Sequence, residues 1–284
     1  MNDVIGLNNG RHIPVLGYGV WMIEDLALCE QCVYDALDAG YRLIDTAAVY
    51  LNEQAVGAAL TKHPVAREEL FVTTKLWVQD MGYEQAKRAF QRSMDRLQLD
   101  YVDMYMIHWP FGDYLGSWKA LEELHAEGKI KNLGVCNFSE YHLRSLLLNA
   151  QVKPVVNQVE CHPYFQQKEL RAYLKKAEVA LQSYSPLGHG ASELLDDPIL
   201  SDLAKKHNKT VAQVILRWHI QEGFSAIPKS ASSDRIRSNF DIGGFSLSEE
   251  DMAAIRNLDT YQRVGLNPND PKFESKMHRY VVDI

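Results

Sequence analysis

Short apolar runs and helical patterns take turns along this chain with little interruption. Near its start, VIGLNNGRHIPVLG reads as two short strands around Asn9-Gly10, a dipeptide that accepts the positive φ angles of a tight hairpin turn. Strand-like runs follow at YRLIDTA, LFVTTKL, VDMYMIHW, IKNLGVCNF, PVVNQVECH, VALQSYSP, FSAIPKS and, with the least strand character, IGGFSLS. Between them lie segments such as YEQAKRAFQRSMDRLQ, SWKALEELHAEGK and TVAQVILRWHIQEG. Their apolar residues recur every three or four positions, the spacing that lines one face of a helix. A last helix, SEEDMAAIRNL, opens at Ser248 with Asp251 three residues on. A capping box prefers Glu or Gln there, so this one is imperfect.

Eight strand-like runs alternating with helices imply parallel strands joined by right-handed crossovers. An open doubly wound sheet and a closed barrel both satisfy that order. Eight repeats in 284 residues, without a Pro/Gly/Ser-rich linker or a low-complexity break, favour the barrel. The expected fold class is therefore α/β, a (β/α)8 TIM barrel with an N-terminal β-hairpin that closes its N-terminal end. Residues 1–284 are expected to form a single domain.

Composition narrows the classes of function. Hydrophobic residues make up 46% of the chain and charged residues 24%, an ordinary globular balance. A net charge of -7 with no Lys/Arg cluster argues against nucleic acid as a partner. The start, MNDVIGLNNG, lacks a basic segment followed by an apolar one, and no apolar run approaches the ~18 residues of a membrane span. Four cysteines are too few for a disulfide framework, which points to a reducing cytoplasm. Cys29 and Cys32 form one C-x-x-C. They lie in a helical pattern without a second ligand pair, so core packing is the expectation. His162 has no partners at ligand spacing, and no metal site is expected. GYGVWM lacks the third glycine of a dinucleotide fingerprint, and no Walker, H-E-x-x-H or G-x-S-x-G sequence occurs.

Seven of the strand-like runs share one habit: each carries a polar group at or near its end. The ends carry Asp45, Lys75, His108, Cys136-Asn137, Gln158 with Glu160 and His162, Tyr184-Ser185, and Lys229-Ser230. In a barrel these ends meet at one rim, where chemistry is done. Taken singly, Asp45 would cap a turn, Lys75 would snorkel to solvent and His108 would be a core histidine. Taken together, an acid and a lysine on neighbouring strands compensate each other's burial. Tyr50 follows in the loop after Asp45. Its phenol, with an ordinary pKa of about 10, would be brought down by an ammonium beside it. A carboxylate behind the ammonium would keep it charged, and Tyr50 and Lys75 would titrate as a pair. His108 would add a second hydrogen bond to a carbonyl oxygen. The set suits proton delivery to a carbonyl oxygen that is becoming an alkoxide.

GYRLIDTAAVYLNEQAVG, TTKLW, MIHWP, GKIKNLGVCNF, VNQVECHPYF, SYSPLG and IPKSASSDRIRSNF, in that order and at those intervals, resemble the aldo-keto reductase family. The resemblance runs from IPVLGYGVW to near Leu258. It implies a (β/α)8 barrel that binds NADPH/NADP+ in extended form and reduces aldehydes and ketones by hydride transfer. The family's catalytic tetrad maps onto Asp45, Tyr50, Lys75 and His108, with Tyr50 the general acid and His108 orienting the carbonyl. By the same match Asn137 and Gln158, beside Cys136, would bind the carboxamide, and Tyr184 would stack on the nicotinamide. Ser185 and Leu187 would follow the pyrophosphate. Lys229, Ser230 and Arg235 would take the 2′-phosphate, and Asn239 would lie near the adenine. Cations near a ribose favour NADPH over NADH on chemical grounds as well.

Two positions depart from the family pattern: Cys136, where serine is common, and Ser238, where an acid often faces the adenine. Trp21, Trp77 and Trp109 follow strand ends and are expected to wall an apolar substrate cleft. A short loop at NFSEYH and a modest tail after Leu258 imply an open site. The pattern is closest to small bacterial-type members resembling 2,5-diketo-D-gluconate reductase, whose substrates are keto-sugar acids, dicarbonyls and simple aldehydes. A monomer acting on a small carbonyl compound is expected, with no membrane partner. The alternative is a non-catalytic NADPH-binding protein of the same fold.

Overall fold

A computed structural model describes residues 3–279. The chain opens with two strands, β1 (Val4–Gly6) and β2 (His12–Pro14), paired antiparallel with Ile5 opposite Ile13. The turn between them passes through Gly10 at φ +80°, a conformation glycine adopts without a steric penalty.

Eight parallel strands then form one sheet in chain order. They are β3 (Gly17–Gly19), β4 (Leu43–Asp45), β5 (Phe71–Leu76), β6 (Met104–Ile107), β7 (Leu133–Cys136), β8 (Val156–Glu160), β9 (Ala180–Tyr184) and β10 (Ser225–Ala226). Leu16 bridges Ala226, the Ala226 N–H donates to Val15 O at 2.9 Å, and the Gly19 N–H donates to Pro228 O at 3.1 Å. These bonds join the last strand to the first, so the sheet is a closed barrel.

The barrel class agrees with the sequence expectation, but one strand does not. IGGFSLS carries no strand; its Ile242 and Leu247 are buried, and Gln221 of the helix Val211–Gln221 bonds both the N–H and C=O of Leu247. The missing strand is β3, the GYG segment. Glycines break the apolar alternation that marks a strand, yet the packing demands one here. A Cβ on Gly17 would sit 2.0 Å from Leu43 Cδ2.

The hairpin does close the N-terminal end of the barrel. Leu7 and Ile13 pack into a cluster with Leu43, Phe71, Met104 and Val156, residues at or near the strand starts. Asn8 Nδ2 donates to Pro154 O and Glu178 O, both at 3.0 Å, tying the turn to the barrel floor. Helices cover the outside. The first, Leu26–Ala39, is capped by Asp25 and stops at Gly40 with φ +108°. Its buried face is Cys29, Cys32, Val33, Ala36 and Leu37, the i, i+3, i+4, i+7, i+8 stripe of an amphipathic helix. The C-x-x-C is thus core; burial pushes the Cys29 thiol up to about 12 and raises that of Cys32. Among the described residues no helix is long and apolar enough to cross a membrane.

Candidate active site

The polar strand ends meet at the C-terminal rim. Asp45 ends β4, and Lys75 is the penultimate residue of β5, both buried. Lys75 Nζ donates to Asp45 Oδ1 at 2.5 Å and to Thr46 O at 2.9 Å. The second Asp45 oxygen accepts from Gln158 Nε2 at 2.7 Å, and that amide also donates to Gln182 Oε1 at 2.8 Å. An ammonium and a carboxylate out of water are tolerable only when paired and hydrogen-bonded on their remaining sites. Here both carboxylate oxygens are taken, and two of the three ammonium protons are directed.

Tyr50 arrives over this pair on a single 3-10 turn, Ala48–Tyr50, that ends at Leu51 in the left-handed region. The loop is held by buried Asn52, which accepts from Thr46 Oγ1 at 2.9 Å and donates to Val20 O at 3.0 Å. The Tyr50 ring centre lies 5.2 Å from Lys75 Nζ. His108, directly after β6, stands edge-on to Tyr50 with ring centres 5.7 Å apart. Trp77 flanks His108 on another side at 5.2 Å. His108 Nδ1 is buried without a hydrogen-bond partner among the described residues. All four residues matched to the tetrad therefore converge.

Their electrostatics differ from the sequence expectation in one respect. Burial pushes the Tyr50 phenol well above its ordinary range, and the Asp45 carboxylate adds to that push. His108 is pushed well below its ordinary value, by burial first and by Lys75 second. The rim thus presents one compensated ion pair beneath a protonated phenol and a neutral imidazole.

The residues matched to the cofactor fall in two groups. Cys136, Asn137, Gln158 and Tyr184 join the tetrad in one network. Asn137, left-handed at φ +64°, donates through Nδ2 to His108 O at 3.1 Å and to Cys136 Sγ at 3.2 Å. Tyr184 OH donates to Asn137 Oδ1 at 2.8 Å. Among the described residues Gln158 Oε1 receives only a long 3.6 Å contact from Cys136 Sγ, so it retains capacity for a further donor. Ser185, also left-handed at φ +48°, and Leu187 follow Tyr184 in the loop after β9.

The second group lies past β10. Lys229 and Arg235 are exposed, and no carboxylate pairs with either among the described residues. Arg235 Nε donates to Ser230 Oγ at 3.2 Å, and Asn239 is buried on the same helix, Ser233–Phe240. Ser238 sits on that helix and accepts through its carbonyl from Gln213. Arg235 beside the Ser230 hydroxyl, with exposed Lys229 next to it in the chain, offers donors of the kind that hold a phosphate monoester.

The three tryptophans fall in two settings, two of them buried together and one exposed. Trp77 and Trp109 cluster with Val78, Phe111, Phe273 and Met277. Trp21, 43% exposed, sits against His189 with ring centres 5.1 Å apart. The tail after Leu258, read as modest, folds back onto the mouth. Phe273 meets Trp109 edge-on at 4.8 Å and Phe111 at 5.8 Å. The signal in the sequence was the four-residue spacing of Phe273 and Met277 on the helix Pro271–Arg279. Glu160 was placed on the rim by its strand, but its partners in the tail, Arg263 to Gly265, carry no local signal.

The pattern of the aldo/keto reductase family matches residues 15–260. Among curated proteins, the chain is 49% identical over 274 residues to glyoxal reductase of Bacillus subtilis (strain 168), covering 96% of this chain and 99% of the relative. It is 44% identical over 271 residues to methylglyoxal reductase DkgA of Yersinia pestis, covering 94% and 97%. Among solved structures, the aldo-keto reductase of Bombyx mori in complex with NADP superposes with a TM-score of 0.87 at 37% identity, covering 92% of this chain and 94% of that one.

Proposed function

This chain belongs to the aldo/keto reductase family, and from that membership we infer an NADPH-dependent oxidoreductase that reduces aldehydes and ketones to alcohols, with small dicarbonyls foremost. The observation that carries the mechanism is the buried Asp45–Lys75 pair beneath Tyr50, with His108 edge-on beside it. Bound NADPH supplies the hydride to the carbonyl carbon.

The remaining work falls to side chains of this chain. Tyr50 holds its proton at neutral pH, as any phenol does, and burial disfavours the phenolate further. It releases that proton to the carbonyl oxygen as negative charge builds there. His108, kept neutral, donates an N–H to the same oxygen and fixes its position. Lys75 stabilises the phenolate left behind, and Asp45 keeps the ammonium from turning away. The phenolate then regains a proton from solvent.

Lys229, Ser230 and Arg235 would hold the 2′-phosphate, and Asn239 would lie near the adenine. Ser185 and Leu187 would follow the pyrophosphate. Tyr184 would lie under the nicotinamide, with Asn137, Gln158 and Cys136 around its carboxamide. The free cations past β10 and the spare Gln158 acceptor support these placements. The substrate class is supported by the glyoxal and methylglyoxal activities named for relatives above 40% identity. Trp77, Trp109 and Trp21 would face the substrate from two sides. On this reading residues 1–284 act as one catalytic unit, a monomer in a reducing cytoplasm, in keeping with four buried free thiols.

The test is NADPH consumption with methylglyoxal, a nitrobenzaldehyde and a keto-sugar acid. Tyr50→Phe is expected to keep NADPH binding, read by fluorescence, and to lose turnover by about 10²–10⁴-fold. Full turnover in the variant would remove Tyr50 as the acid. Tight NADPH binding with no carbonyl reduced by the wild type would favour the non-catalytic alternative.

A further inference from the structure

Glu160 ends β8, two residues beyond Gln158, and its side chain is fully buried. A carboxylate out of water must be paid for by donors, and Glu160 has four. His162 Nε2 lies 3.1 Å from Oε1. The other three come from the tail: the Val264 N–H at 2.6 Å, the Gly265 N–H at 3.0 Å and Arg263 Nη1 at 3.3 Å. Val264 and Gly265 aim consecutive backbone N–H groups at the two oxygens of one acid, a geometry in which the acid seats a segment of main chain.

The seat is specific in place. A Cβ added to Gly265 would lie 2.7 Å from Glu160 Oε2 and 3.7 Å from Tyr184 OH. The tail therefore passes in contact distance of Tyr184, whose hydroxyl leads through Asn137 to the carbonyl of His108. Before this point the tail is tied by the N–H groups of Thr260 and Gln262 to Tyr164 O, each at 3.1 Å. After it, Phe273 and Met277 complete the cluster around Trp109. Arg263 also spreads its guanidinium over the Phe165 ring at 4.4 Å.

We propose that Glu160 is a positioning residue that ties residues 263–265 beside Tyr184 and thereby sets the following helix against Trp109 as the substrate-side wall. This rests on the reading that Tyr184 and Trp109 border the cofactor and substrate. The acid touches neither and acts through the tail.

The experiment compares wild type with Glu160→Gln, Arg263→Ala and Gly265→Ala in two readouts. The first is hydrogen exchange, by mass spectrometry, of peptides spanning 259–279. The second is kcat and KM for methylglyoxal at saturating NADPH. Glu160→Gln is expected to speed exchange in 259–279 by about tenfold or more, with the strand peptides of the barrel unchanged. Its KM rises about five- to tenfold while kcat stays within about threefold. Arg263→Ala, which removes one of the four donors and leaves the two backbone ones, moves both readouts in the same direction by less. Gly265→Ala, which crowds the acid, follows Glu160→Gln.

Wild-type exchange in Glu160→Gln and Gly265→Ala would overturn the tether. Faster exchange with unchanged KM would overturn the positioning role. If Glu160→Gln fails to fold, the two tail variants decide the matter alone. Should the wild type reduce no carbonyl, the reductase reading fails, and with it the substrate-wall role. Exchange in the same variants still decides the tether separately.

Discussion

A phenol that must give up a proton at neutral pH has to hold one first, and the surroundings of Tyr50 see to that. Burial and Asp45 both disfavour its phenolate, while His108 is held neutral by burial and Lys75. The sign follows directly. A proton donor is active below its own pKa, so raising that pKa extends the active range upward. The rate constant kcat/KM for carbonyl reduction is expected to be flat from about pH 6.5 to about pH 10, bounded by the ordinary values of the two groups. A falling limb centred near neutrality would contradict the electrostatics of Tyr50. The ion pair beneath makes a second prediction. Lys75→Met strands the buried Asp45 carboxylate and is expected to cost about 3–5 kcal/mol in urea titrations. Adding Asp45→Asn should recover much of that loss by removing the stranded charge, yet restore no turnover. Asp45, Lys75 and His108 were legible because each closes an apolar strand run, and Tyr50 because it follows in the loop after Asp45. The direction of the Tyr50 shift was not, because it depends on how completely the fold excludes water and on which charges are already paired.

Elements show the same division. The helix Glu249–Arg256 begins with a reciprocal box in which Ser248 Oγ accepts from the Asp251 N–H and Asp251 Oδ2 accepts from the Ser248 N–H at 3.1 Å. The shorter acid closes the box that the sequence rule assigns to Glu or Gln. Asp251 also accepts from Lys206 and His207 on the helix Pro198–His207. Burial works to raise its pKa, but these bonds win and leave it at about 2. A depressed carboxylate stabilises the fold above its unfolded pKa and loses that contribution as pH falls through the folded one. Acid unfolding of the wild type should therefore shed about 2 kcal/mol between about pH 4 and about pH 2. Asp251→Asn should lack that increment at neutral pH and show no such step. Among the strands, β3 escaped notice because its glycines carry no apolar signal, although a Cβ at Gly17 would run into the Leu43 side chain. IGGFSLS passed for a strand because burial against a helix selects apolar residues just as a sheet does.

At the scale of the whole molecule, the two ends of the barrel are separated by function. The hairpin plugs the floor with Ile13, which is fully buried, while the polar strand ends and the tail form the mouth. Ile13→Ala is expected to cost about 2–5 kcal/mol in stability and to leave kcat/KM unchanged, since the cavity opens far from the rim. A matched loss of activity in the folded variant would show that floor and mouth are coupled. Periodicity, element order and the habit of ending strands on polar groups were written locally, and from them followed the barrel and the polar rim; the roles of the rim residues and of Lys229 and Arg235 followed from the family resemblance. Which strand closes the barrel, how the tryptophans divide and what holds the tail were decided only in three dimensions. Closure, burial and pairing are sums over residues far apart in the chain, such as Leu16 with Ala226 and Glu160 with Gly265, and no local pattern records them.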